Sequence, residues 1–124
     1  MSTSYDELAY SSSPKTQTHP DRLATVAALY GMTAQSVDGC RVLEIGCNDG
    51  SNLIPMACNE PRSRFTGIDL ASTAIDAARA FSARLQLGNI EFEHADVCHW
   101  DAQGRKFDYI IVHGVYSWVP PAAR

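Results

Sequence analysis

The stretch Val42–Asn52, VLEIGCNDGSN, carries the residue types that bring a polar ligand against main chain. Gly46 and Gly50 permit close approach and positive φ, and Asn48 between them is the next most tolerant residue for such a turn. Glu44 sets a carboxylate just upstream, and Cys47 a small thiol inside the turn. Two more acids follow, Asp69 in "GIDL" and Asp96 in "HADV". A carboxylate such as Asp69 suits a ribose 2′,3′-diol, from which it accepts two hydrogen bonds. Asp96 suits the exocyclic amine of an adenine, with the Val97 N–H donating to the ring. Aromatic and ionisable groups close the series at "HGVYSWVP", with His113, Tyr116 and Trp118. Each feature has a plainer reading. Asp69 suits a helix cap, Asp96 a turn cap, and His113 a satisfied strand-end histidine, while a glycine turn alone points only to some nucleotide.

These residues need elements to register them. Arg41–Ile45 is a short apolar run with Glu44 as its one interior polar residue, as in a strand buried on both faces. "RFTGIDL" (64–70) reads as a second strand, "NIEFEHAD" (89–96) as a third by its alternation of Ile90, Phe92 and His94 with Glu91 and Glu93, and "FDYIIVHG" (107–114) as a buried fourth. Helices are expected over "THPDRLATVAALYGM", with Thr18 as N-cap, an apolar face of Leu23, Val26, Ala27 and Tyr30, and Gly31 at its end. A short helix follows over 51–58, with Pro55 tolerated near its first turn. Ser72 caps a longer helix that Gly88 ends. The alternation implies an α/β doubly wound, Rossmann-like, mainly parallel sheet, whose ligand crevice lies at the carboxyl ends of the strands. Three acids at three successive strand ends, registered with one glycine turn, are hard to assign to capping alone.

The chain has 124 residues, 45% hydrophobic and 19% charged, enough for one domain with a modest core. Its net charge of −4 argues against nucleic acid or an anionic membrane as the main surface partner. No secretory signal or membrane-length apolar run is visible, so a cytoplasmic location is expected. Cys40, Cys47, Cys58 and Cys98 show no metal or redox spacing; reduced thiols and no metal site are expected, with Cys40 and Cys58 in the core or its flank.

The residues now in hand resemble the class I, Rossmann-like S-adenosylmethionine-dependent methyltransferases. "VLEIGCNDGSN" is similar to their first motif, with Asn48 replacing the usual middle glycine; "GIDLA", "HADV" and "FDYIIVHGVYSWV" resemble the next three. The resemblance implies S-adenosyl-L-methionine as cofactor, with Glu44 and Gly46 near its methionine moiety in a turn shaped by Cys47, Asn48 and Gly50. It further implies Asp69 on the ribose, Leu70 packed on adenine, Asp96 and Val97 at the adenine edge, and His113 near the methyl donor. The flanks, "YDELAY" and "QTHPDRLATVAALYGM", look like a bacterial group whose catalytic domain precedes a methyltransferase regulatory domain, and in which some relatives methylate protein lysines. The family's sheet is wider than four strands, so the chain is expected to be the N-terminal part of a longer protein or a truncated copy. Residues 1–17, with Tyr5 and Tyr10, are expected to form a flexible or lid segment before the domain part 18–124. The fourth strand is expected to leave an open edge that favours self-association.

Transfer from a sulfonium needs orientation more than a metal, and orientation can supply about 7–11 kcal/mol. If a base takes part, His113 and Tyr116 are the nearest candidates, with a protein or small molecule as methyl acceptor. Two other readings compete. An NAD-dependent dehydrogenase wants glycines at its first, third and sixth positions, where Asn48 and Ser51 fail the second and third. A non-catalytic cofactor-binding or regulatory module would share the turn and the acids without turnover.

Overall fold

The computed structural model describes residues 4–7 and 11–124. Within them, β1 (Arg41–Ile45), β2 (Arg64–Asp69), β3 (Ile90–His94) and β4 (Tyr109–Ile111) form one parallel sheet in the order β3-β2-β1-β4. Helices α1 (Ser4–Glu7), α2 (Pro20–Leu29), α3 (Leu53–Asn59) and α4 (Ser72–Arg84) complete the frame. The chain steps from β1 outward to β3, then returns to lay β4 on the other side of β1. That reversal opens a crevice at the carboxyl end of β1, where the glycine turn stands.

Strand register builds the core in rows. Val42, Phe65, Ile90 and Tyr109 stand side by side, and Glu44, Gly67, Phe92 and Ile111 form the next row on the same face. Leu53, Ile54, Met56 and Ala57 of α3 and Ile75 and Ala78 of α4 pack in the same apolar cluster. Burying each large aliphatic or aromatic side chain there stabilises the fold by roughly 1.5–3 kcal/mol. The opposite face is more polar. Arg105, from the connection between β3 and β4, bridges Glu91 at 2.9 Å and Glu93 at 2.6 Å, and the Trp100 indole donates to Glu93 at 2.7 Å. These two carboxylates are why Arg105 can lie across the sheet, and the Arg105 hydrogen bond is in turn the largest cause that holds the Glu93 carboxyl below its usual range.

Several boundaries differ from the sequence reading. His19, not Thr18, is the N-cap of α2, its Nδ1 accepting from the Asp21 N–H, because Pro20 takes the first helical position. Thr18 is instead buried in another contact, described below. The apolar face of α2 is only partly used: Leu23 packs on the core, as does Ala24, whereas Val26 and Tyr30 are exposed. Gly31 does close α2, with φ 75°. Helix α3 begins at Leu53 rather than Ser51, which still leaves Pro55 within its first turn.

Ser72 is the first residue of α4, not its cap; the cap position is Ala71, without a side-chain bond. Asp6 of α1 serves the start of α4 instead, accepting from Ser72 Oγ and from both the amide and hydroxyl of Thr73. At the other end Gln86, at φ 55°, takes the left-handed position expected of Gly88, and α4 stops at Arg84. β2 and β3 are shorter than expected, so Asp96 lies two residues past the end of β3. β4 is three residues long and buried on one face only: Tyr109 and Ile111 face the core, while Ile110 and Val112 are exposed. A strand paired with β1 alone has one open edge and, among the described residues, no layer over Ile110. Cys40 is buried as expected, whereas Cys58 lies exposed on α3. No helix of the described residues is long and apolar enough to cross a membrane.

Candidate functional site

The end of β1 turns sharply because three successive alternate residues take positive φ: Gly46 at 74°, Asn48 at 51° and Gly50 at 78°. Only glycine and, at lower cost, asparagine sit there readily. The turn is anchored at its base, where the Gly46 and Cys47 amides both donate to the Ile68 carbonyl, at 2.9 and 3.1 Å. A Cβ on Gly46 would collide with the Val115 side chain, so the loop after β4 packs directly on this turn. A Cβ on Gly67 would lie 2.8 Å from both Cys47 Sγ and Phe92 Cδ1. Cys47 therefore fills the space over Gly67, and burial pushes its thiol well above the usual range. It is a packing residue of the turn and not a reactive one.

Asp69 ties the ends of β1 and β2 together. Its Oδ2 accepts from the Asn48 N–H at 2.8 Å and its Oδ1 from the Ala71 N–H at 2.9 Å. Each carboxylate oxygen keeps a second lone pair for an outside donor. Leu70 follows it, half-buried, with its carbonyl 2.9 Å from His94 Nε2. Asp96 realises its plainer reading: Oδ1 accepts from the Cys98 N–H at 2.9 Å and Oδ2 lies 3.2 Å from His99 Nδ1. The Cys98 amide bond is the largest cause of its carboxyl lying below the usual range. Val97 sits half-buried in that turn. His113 and Tyr116 are both exposed, with Arg124 stacked 5.2 Å over the Tyr116 ring. The turn, Asp69 and Leu70 are brought together; Asp96 sits on its own turn, and His113 and Tyr116 lie open in the loop after β4.

Glu44 is the least conventional group. It is 5% exposed, its Oε1 accepts from Asn52 Nδ2 at 2.8 Å, and its Oε2 is buried with no hydrogen-bond partner among the described residues. Burial raises its pKa to about 7, partly offset by the Asn52 bond and reinforced by Asp69. An orphaned carboxylate oxygen beside a glycine turn is a ready acceptor for a cationic or N–H group. Sequence reasoning passed over the side chains that hold it. Asn52 also donates to Thr18 Oγ1 and accepts from the Lys15 N–H, so a segment far upstream meets the turn. The one available signal was an amide side chain placed just before the wholly apolar start of α3. Val115 was missed as well, since nothing in its type marks a residue that must fit over a glycine.

Comparison with known proteins reads the same way. Residues 42–124 match the model of a methyltransferase domain. The chain belongs to that methyltransferase family. Its segment thus includes the turn, Asp69, Asp96 and the loop after β4. An uncharacterized protein of Rickettsia prowazekii is 46% identical over 120 residues, which is 97% of this chain and 22% of that protein. A second uncharacterized protein from the same organism is 34% identical over 116 residues, 94% of this chain and 46% of its own length. Among solved structures, PKMT2 from Rickettsia typhi in complex with AdoHcy superposes with a TM-score of 0.85 at 34% identity, over 90% of this chain and 22% of that one. The chain thus spans less than half the length of these relatives.

Proposed function

We propose that the chain binds S-adenosyl-L-methionine at the carboxyl ends of β1 and β2 and serves methyl transfer to an acceptor. Family membership supports the reading, and the single observation that carries it is the orphaned, buried Glu44 Oε2 beside the glycine turn. The residues present fit the cofactor: a carboxylate without a partner suits its ammonium, and spare lone pairs on Asp69 suit its ribose diol. In this reading Gly46, Cys47, Asn48 and Gly50 shape the turn that bears the methionine moiety. Leu70 packs on the adenine, and Asp96 and the Val97 N–H meet its edge, with Asp96 keeping its turn bonds while accepting one more. The solved relative with AdoHcy bound supports the same ligand class.

When bound, the cofactor supplies an activated methyl group on a sulfonium. The chain's own residues orient it, with Val115 packed on the turn at Gly46, and His113 and Tyr116 stand at the open side as candidates to take a proton from the acceptor. A net charge of −4 favours a neutral or cationic acceptor, a protein or a small molecule, over nucleic acid. A cytoplasmic location belongs to the same reading. The test is transfer of a labelled methyl group from S-adenosyl-L-methionine to a mixture of proteins and small molecules, with Asp69→Ala as control. Label transfer that the variant lacks supports catalysis; binding without any transfer points to a non-catalytic module.

A further inference from the structure

Asn52 has every polar atom of its side chain committed, and in one direction. Its Nδ2 donates to Glu44 Oε1 at 2.8 Å and to Thr18 Oγ1 at 3.0 Å, and its Oδ1 accepts from the Lys15 N–H at 2.6 Å. The Thr18 hydroxyl donates in turn to the Lys15 carbonyl at 2.8 Å, which leaves its oxygen free to accept. Turning the amide over would set Oδ1 against the Glu44 carboxylate and lose both donations. The residue is 5% exposed, so water does not substitute for these partners. Segment 15–18 and the buried carboxyl of Glu44 therefore share one amide.

We propose that Asn52 is a positioning residue that holds the Glu44 carboxyl with Oε2 turned toward the cofactor and makes cofactor binding and docking of segment 15–18 reinforce each other. The proposal rests on the cofactor reading given above. A cation at Oε2 favours the ionised carboxyl, and an ionised acceptor strengthens the bond from Nδ2. That fixes Oδ1 toward the Lys15 amide and docks the segment. Coupling of this kind is reciprocal, so a docked segment raises cofactor affinity by the same factor. The other titratable groups near Glu44 are Asp69, at the end of β2, and Cys47 in the turn, both of which disfavour its charge or are disfavoured by it. The Lys15 ammonium donates to Ser13 Oγ at 2.8 Å, so the segment acts on Glu44 through the Lys15 N–H and the Thr18 hydroxyl on Asn52 and not through its charge.

The experiment combines amide hydrogen exchange with calorimetric titration of S-adenosylhomocysteine. Ligand is expected to slow exchange of the Lys15 amide at least about tenfold, the scale of a hydrogen bond in a chain ending on a charged group. The Arg105 amide, bonded to Ala102 on the far connection, should change much less. Thr18→Val should weaken binding severalfold and Asn52→Ala roughly tenfold, and the double variant should be no weaker than Asn52→Ala, because both act through one chain of bonds. If the unaltered chain does not bind S-adenosylhomocysteine, the cofactor reading falls and this proposal with it. If it binds while Lys15 exchange stays unchanged and Thr18→Val binds normally, the coupling is overturned and the cofactor reading stands.

Discussion

The Asn48 amide donates to Asp69 Oδ2 at 2.8 Å, so the glycine turn after β1 is tied to the end of β2 before any ligand arrives. The same carboxylate reaches the Ala71 N–H at the start of α4. Asp69 thus organises two loops and retains lone pairs for a diol. Asp69→Ala is expected to weaken S-adenosylhomocysteine binding by tenfold or more and to destabilise the fold by about 1–3 kcal/mol. Asp69→Asn keeps the shape and should cost less stability while still losing affinity. Calorimetry and thermal unfolding of the two variants check this; equal affinity of Asp69→Ala and the unaltered chain would remove Asp69 from the site.

Glu44 makes stability depend on pH in a defined direction. Its folded pKa of about 7 lies above the ordinary carboxyl value of 4.5, so the folded state binds the extra proton between those values. Its contribution is fully present below about pH 4.5, declines as pH rises, and is lost above about pH 7. The difference is of order 3 kcal/mol. Glu44→Gln should therefore gain stability relative to the unaltered chain on going from pH 5 to pH 8. Parallel denaturant titrations at the two pH values measure the change, and a constant difference between the proteins would show that the carboxyl is not destabilised by burial.

Gly67 leaves the room that Cys47 and Phe92 fill. Gly67→Ala sets a Cβ 2.8 Å from each of them and should cost about 1–3 kcal/mol by overpacking. A melting temperature unchanged from that of the parent chain would mean the turn can shift to admit a methyl group.

Thiol accessibility gives an independent check on the turn. Cys58 and Cys98 are exposed, while Cys40 and Cys47 are buried with pKa values raised by burial. Cys58 should react promptly with a disulfide reagent at pH 8, Cys98 more slowly because desolvation and the neighbouring Asp96 raise its thiol, and Cys40 and Cys47 only on unfolding. Fast labelling of Cys47 would show the turn to be open.

The free edge of β4 should associate. Ile110 is 58% exposed on a strand whose far side is unpaired among the described residues, and Val112 just after the strand is 49% exposed. Ile110→Lys is expected to reduce concentration-dependent association in sedimentation velocity. A parent chain that stays monomeric at high concentration would count against the edge as an association surface.

Much of this was legible in the sequence, and the reason differs from residue to residue. β1 was placed to the residue, because an apolar run ending in glycine has little freedom of register. Asp69 was legible as the residue that closes β2, but no local pattern showed that its carboxylate would accept from both the Asn48 and the Ala71 amides. Asp96 was harder: its side chain completes a local turn with Cys98 and His99, and a capping acid and a ligand-binding acid look alike in a sequence. The buried reading of β4 failed because burial on both faces needs a covering layer, which a run of apolar residues cannot reveal. Asn52 carried only the weak signal of an amide before an apolar helix start, for a similar reason. Its partners, Lys15 and Thr18, lie 37 and 34 residues upstream, and no local pattern announces a contact of that range.

The central claim is tested most directly by titrating the chain with S-adenosylhomocysteine and, separately, with NAD in a calorimeter. The account predicts saturable one-to-one binding of S-adenosylhomocysteine that Glu44→Gln and Asp69→Ala both weaken, with no heat from NAD. Binding of NAD alone, or S-adenosylhomocysteine binding that neither substitution affects, would contradict it.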